Sequence, residues 1–164
     1  LTTLEQDRDF PEVQPAPGAW VRGGLVAMGL GLTTVFGIAL WLNPYGPDGS
    51  ARRMETHRQL GLPPCTFYAL TGVPCPACGM TTSFALLVRG DVGNSVRANA
   101  VGTLLAAFGL VLIPWCVVGA LSGRLPLIRS PERALTAVVL VFLGLMLLRW
   151  VIVVGTGLWR STHS

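Results

Sequence analysis

Three of the four cysteines in this chain fall within fourteen residues, at Cys65, Cys75 and Cys78. Cys75-Pro76-Ala77-Cys78 stands directly before an apolar stretch, Met80 to Val88, that reads as a short helix. Unpaired N–H groups and the dipole at a helix start stabilise a thiolate, so a cysteine placed there is expected to have a depressed pKa. With Cys65 as a resolving thiol, the pair has the residues for thiol–disulfide exchange. The βαβ pattern of thioredoxin-like proteins is absent, so that likeness is purely local. The same residues suit a metal. Cys75-x-x-Cys78 is a zinc-knuckle spacing, Cys65 offers a third ligand and His57 a fourth. A strong zinc signal would carry two such pairs, and this chain has one. The third reading is structural: a disulfide from Cys65 to Cys75 or Cys78 would staple a Gly/Pro-rich loop with little core of its own. Free, buried thiols are the fourth. The sequence leaves all four open. Cys116 lies alone in a long apolar run and is expected to pack as a small apolar residue.

The elements around these cysteines are membrane elements. Charged residues are 12% of the 164 and hydrophobic residues 51%, against roughly 25% charged in ordinary globular proteins. Mean hydropathy is +0.58. The chain has 12 arginines and no lysine, and its net charge of +4 is spread without a basic run, which argues against nucleic-acid binding. A bilayer core needs about 20 apolar residues per helix. Three segments supply them: 20–42, 98–122 and 134–159. Trp20, Trp41, Trp150 and Trp159 sit at their ends, where aromatic belts belong. Ser130-Pro131-Glu132 reads as the start of the third span.

Outside the spans, residues 1–19 form an acidic, Pro-rich arm rather than a signal peptide. Residues 43–97 form a long loop holding the cysteines and the short helix 79–89, and a further short helix is expected over about 51–60. That loop is far longer than the usual ~2–8-residue helix connection. Residues 123–133 connect the last two spans and 160–164 are a tail. Arginines divide almost evenly between the two sides, so charge does not orient the chain. The redox logic of the cysteines favours an external loop.

Arg149 is the one charge well inside a span. It lies near the far end of its helix, where it can snorkel to the interface; the alternative is contact with a partner or lipid. Gly23, Ala27 and Gly31, and also Gly102 and Ala106, recur at four-residue spacing and allow close helix contact within this chain or against another subunit. Ser-His-Asp order, Walker, H-E-x-x-H and Rossmann patterns are absent from the sequence.

Thr71-Gly72-Val73-Pro74-Cys75-Pro76-Ala77-Cys78-Gly79-Met80-Thr81, followed by Gly90-Asp91 and Asn99, resembles a family of small bacterial membrane proteins catalogued only as a domain of unknown function. Its hallmark is T-G-x-x-C-P-x-C-G-(M/L)-T, then a short apolar helix, G-D, and Asn-Pro about twenty residues on. The resemblance covers roughly residues 60–120. Two positions depart from it: Thr82 stands near where Arg is frequent, and Ala100 stands where Pro is common. The resemblance implies a bacterial membrane location and supplies no activity.

The expectation is therefore an all-α, polytopic membrane protein with three transmembrane helices and a short interfacial or re-entrant helix after a Cys-rich loop. Lacking catalytic constellations, it reads as a non-catalytic accessory or structural subunit in the bacterial inner membrane. Its expected partners are the lipid bilayer and other membrane subunits or further copies of itself. No cofactor is expected apart from a possible zinc ion. Membrane thiol–disulfide exchange and Cys-rich metal binding are the alternatives.

Overall fold

The computed structural model describes residues 19–122 and 131–157. The body of the acidic arm, most of the connection between the last two spans, the Ser130 helix start and the tail lie outside them. The described fold is all-helical. Helix α1 (Ala19–Trp41) leads through a loop with a 3-10 turn (Thr56–Leu60) to α2 (Thr66–Thr71) and α3 (Met80–Leu87); α4 (Val92–Ser122) and α5 (Pro131–Gly155) follow. Three of these, over Ala19–Trp41, Val92–Ser122 and Arg133–Gly155, are long and apolar enough to cross a membrane.

The short helix α3 is the keystone of the packing. Ala85 and Leu86 are fully buried, and Phe84 stacks on Phe36 of α1 with ring centroids 5.6 Å apart. Burying an apolar side chain of this size is worth about 1.5–3 kcal/mol where water is the alternative. Arg89, just beyond α3, donates to the carbonyls of Ala39 (3.0 Å) and Leu40 (2.6 Å). Those are orphan acceptors of the last turn of α1, where a cation also meets the negative end of the helix dipole. At the opposite end, Arg22 Nε donates to the Ala120 carbonyl at 3.1 Å.

The α1–α4 seam sets small residues against large ones. Gly109 faces the Phe36 ring, and Gly29 faces Cys116, which is buried and packs as expected. Gly102 and Ala106 are inside. Gly23, Ala27 and Gly31 face outward, because Leu25, Gly29 and Phe36 define the buried face of α1. That stripe therefore does not pack within the described chain.

The helical run Val92–Ser122 is two helices that meet at a break. Asn99 has φ −159° and ψ 104°, an extended conformation within an otherwise helical run. It is the N-cap of the helix that follows: its Oδ1 accepts the Gly102 N–H at 3.0 Å, three residues on. Asp91 caps the first turn in the same way, accepting the Asn94 N–H at 3.2 Å. The break frees the Ala98 carbonyl, whose helical partner would have been that same Gly102 N–H. Arg149 Nη2 takes it at 3.2 Å. The half-buried Arg149 thus points into the bundle as well as lying near its end. No residue of α5's membrane-length segment is fully buried, and a half-covered stripe of Ala134, Val138, Phe142 and Met146 runs along one face, with Phe142 against Phe108 of α4 at 6.0 Å.

Candidate functional site

The cysteines converge at the end of the bundle where the break lies. Cys65 is the residue before α2, a six-residue helix absent from the hydropathy reading. Cys75 and Cys78 sit on a tight turn closed by the Cys78 N–H to the Cys75 carbonyl, 3.0 Å. Gly79 follows at φ +82° and caps α3. A Cβ there would stand 2.5 Å from the Ala98 carbonyl oxygen and 2.8 Å from that of Arg53, so glycine is required twice over.

The turn is hung by its backbone from two spans. Asn99 Nδ2 donates to the Cys78 carbonyl at 3.1 Å, and Trp150 Nε1 donates to the Pro74 carbonyl at 2.8 Å. Phe67 meets the Trp150 ring edge-on at 6.3 Å. Beneath the turn, Ser95 donates to the Ser83 carbonyl (2.8 Å) and shares a hydrogen bond with Thr103 (2.7 Å). Gly102 lets Ser83 approach, since a Cβ would overlap its Oγ. Thr56 and Thr82 pair at 2.8 Å in full burial, tying the 3-10 turn to α3. Among the described residues no buried side-chain nitrogen or oxygen lacks a partner.

All four cysteines are free thiols. Cys75 Sγ lies 3.0 Å from Cys78 Sγ, and Cys78 Sγ lies 3.7 Å from Cys65 Sγ. The three sulfurs fall within 4.8 Å of one another, each half-buried. They line a cavity of ≈ 230 Å³ together with Met54, Glu55 and His57. His57 is on the wall but outside the sulfur group; its Nε2 faces the Pro63 carbonyl at 3.3 Å. Glu55 pairs with Arg58 at 3.2 Å and holds a left-handed φ of 68°, a strained conformation for a non-glycine residue at a cavity wall.

The electrostatics differ from the sequence expectation. The backbone N–H of Tyr68 pulls the Cys65 thiol below its ordinary range, outweighing burial, and hydrogen bonds from Cys75 and Cys78 add to this. Burial pushes the Cys78 thiol upward, reinforced by its contact with Cys75. The downward displacement thus falls on Cys65, before α2, and the upward one on Cys78. The C-x-x-C turn tucks Cys78 inward instead of presenting it to solvent at the start of α3. Sequence reasoning missed Asn99 as a contact to the turn, and Trp150 as more than an interfacial anchor. An isolated Asn in an apolar run was the available signal for the first. Nothing local marks the second.

The fold and site define an all-helical chain with three membrane-length helices and a thiol cluster at one end of the bundle. Residues 65–113 match the model of a protein family described as "Protein of unknown function (DUF2752)". The match begins on Cys65 and takes in the C-x-x-C turn, α3, Asn99 and the second span as far as residue 113. No curated protein and no solved structure matches the chain.

Proposed function

We propose that this chain is a small, non-enzymatic multi-pass protein of the bacterial inner membrane that binds a metal ion through Cys65, Cys75 and Cys78, as an accessory component of a larger membrane assembly. The observation that carries the reading is the convergence of three sulfurs within 4.8 Å on a cavity wall. A tetrahedral zinc–thiolate centre with Zn–S of about 2.3 Å spaces its sulfurs by about 3.8 Å. The Cys65–Cys78 separation of 3.7 Å is close to that, and the 3.0 Å pair needs only a small side-chain rotation. Three protein ligands leave a further position open. The accessory role is supported by α5, most of whose apolar residues are exposed, and by the outward Gly23-Ala27-Gly31 stripe.

The test is elemental analysis of the full chain purified in mild detergent without chelator. The expected result is about one metal per chain, lost in Cys78→Ser. Absence of bound metal, with no uptake on reconstitution, refutes it. Co-purification of other membrane proteins is expected; a lone monomer in gentle detergent counts against the accessory role.

The cluster supports a second reading, thiol–disulfide exchange: the Cys65 thiolate attacks a partner's disulfide and displaces one partner thiol, and Cys78, 3.7 Å away, resolves the mixed disulfide by displacing the other, which leaves Cys65–Cys78 oxidised and the partner reduced. It requires a mixed disulfide trapped in Cys78→Ser, and fails if no thiol reacts with iodoacetamide after mild reduction.

A further inference from the structure

The identity of the ion can be read from what else stands on the cavity wall. This step rests on the metal-binding reading above. Besides the three thiols, the lining includes two thioethers, Met54 and Met80. Of the nitrogen and oxygen groups there, His57 Nε2 faces the Pro63 carbonyl, Glu55 pairs with Arg58, and Thr82 pairs with Thr56, while Tyr68 and Thr81 complete the polar lining. Five of the lining residues carry sulfur. Met80 is the residue after Gly79, so the turn that sets the cysteines also sets its backbone. Methionine has three rotatable side-chain bonds, which allow a thioether on the wall to swing toward an ion.

Softness then decides the class of ion. Thiolate and thioether donors together select Cu(I), whereas zinc sites of this kind are completed by histidine, carboxylate, a fourth thiolate or water.

We propose that the site takes a soft monovalent cation, Cu(I) or its analogue Ag(I), on Cys65, Cys75 and Cys78, with Met54 and Met80 as thioether donors or gates beside it. The ion arrives already reduced, and no electron is transferred. Each cysteine–metal bond that forms displaces one thiol proton to solvent, and a methionine thioether binds without losing one.

The experiment uses the full chain in detergent, anaerobically, with ascorbate. Cu(I) affinity is read by competition with a chromophoric Cu(I) chelator, and Zn(II) affinity by competition with a zinc indicator. Met54→Leu/Met80→Leu conserves volume and removes both thioethers. It is expected to weaken Cu(I) by about tenfold or more, a typical loss when groups tuning a metal site are removed, and to leave Zn(II) within about twofold. X-ray absorption of the Cu(I)-loaded wild-type chain needs no variant and is expected to show only sulfur in the first shell. A nitrogen or oxygen neighbour, or Cu(I) affinity indifferent to both methionines, overturns the proposal. If in that case Zn(II) still binds and depends on Cys78, the metal-binding reading survives without it. If neither ion binds the wild-type chain, both fail.

Discussion

Replacing Asn99 by alanine tests the central joint of this molecule. The side chain makes two hydrogen bonds, accepting from the Gly102 N–H at 3.0 Å and donating to the Cys78 carbonyl at 3.1 Å. Loss of an N-cap costs ~0.5–2 kcal/mol, and each buried polar group left unpaired costs ~1–3 kcal/mol. If the backbone keeps its break, both the Gly102 N–H and the Cys78 carbonyl are orphaned. If the helix straightens, Gly102 recovers the Ala98 carbonyl, but Arg149 loses it and Cys78 stays unpaired. Either route gives about 2–4 kcal/mol, or a Tm lower by roughly 5–15 °C at the ~2–4 °C per kcal/mol of a chain this size. Thermal unfolding in detergent, followed by circular dichroism, reads the shift. A double-mutant cycle with Arg149→Met separates the two routes. A retained break gives additive costs; a straightened helix makes Arg149→Met cheaper by about 1 kcal/mol or more in the Asn99→Ala background. A Tm within about 2 °C of wild type, corresponding to under ~1 kcal/mol, would refute the assignment of Asn99 as the cap and as the tie to the cysteine turn.

Gly79→Ala combines a left-handed φ with contact on two carbonyl oxygens, and should cost ~2–5 kcal/mol, read as lost folded yield on size exclusion. Ala100→Pro places proline at the first position of the helix capped by Asn99, after an extended residue, and should stabilise by ~0.4–1 kcal/mol in the same melts. The Asp91 carboxyl is held below its ordinary range by the Asn94 side chain and N–H, so its contribution is present above the unfolded pKa and lost as pH falls through the lower folded value. An Asp91→Asn variant should therefore lose less stability than wild type between about pH 4 and lower pH. Iodoacetamide labelling read by mass spectrometry should modify Cys65 first and Cys78 last, the order of their opposite displacements; the reverse order contradicts the described sulfur environment.

The membrane-length spans were legible because twenty-odd uncharged residues have few alternatives in water or lipid. The short helix after the C-x-x-C turn was legible from the run Met80–Val88, since Gly79 marks its start and Arg89-Gly90-Asp91 its end. What hydropathy could not show is where a helix breaks without proline. Ala98-Asn99-Ala100 reads as ordinary helix until the Oδ1 of Asn99 competes with the Ala98 carbonyl for one N–H. The site was half legible. The three cysteines were correctly grouped because they are close in sequence. The direction of the thiol shifts was not, since it depends on α2, six residues that Pro63-Pro64 and Gly72 isolate from any longer pattern. Trp150 reaches the cysteine turn and Arg149 the helix break from more than fifty residues away, a distance no local signal spans.

Helix α5 is fastened to the rest of the described chain by the side chains of Arg149 and Trp150 and lies along it through a half-covered stripe. This divides its labour along its length. Between Leu135 and Leu148, Val138, Phe142 and Met146 are half-covered and the other positions face outward. The adjacent pair Arg149-Trp150 occupies the Ala98 and Pro74 carbonyls beside the thiols. An adjoining protein can therefore replace lipid along most of that helix and leave the cysteine turn untouched. A contact that rotates the helix by a fraction of a turn is felt at once by the two carbonyls on either side of the cluster. The third span serves as a handle: long, replaceable along its grip, and specific only where it is fastened.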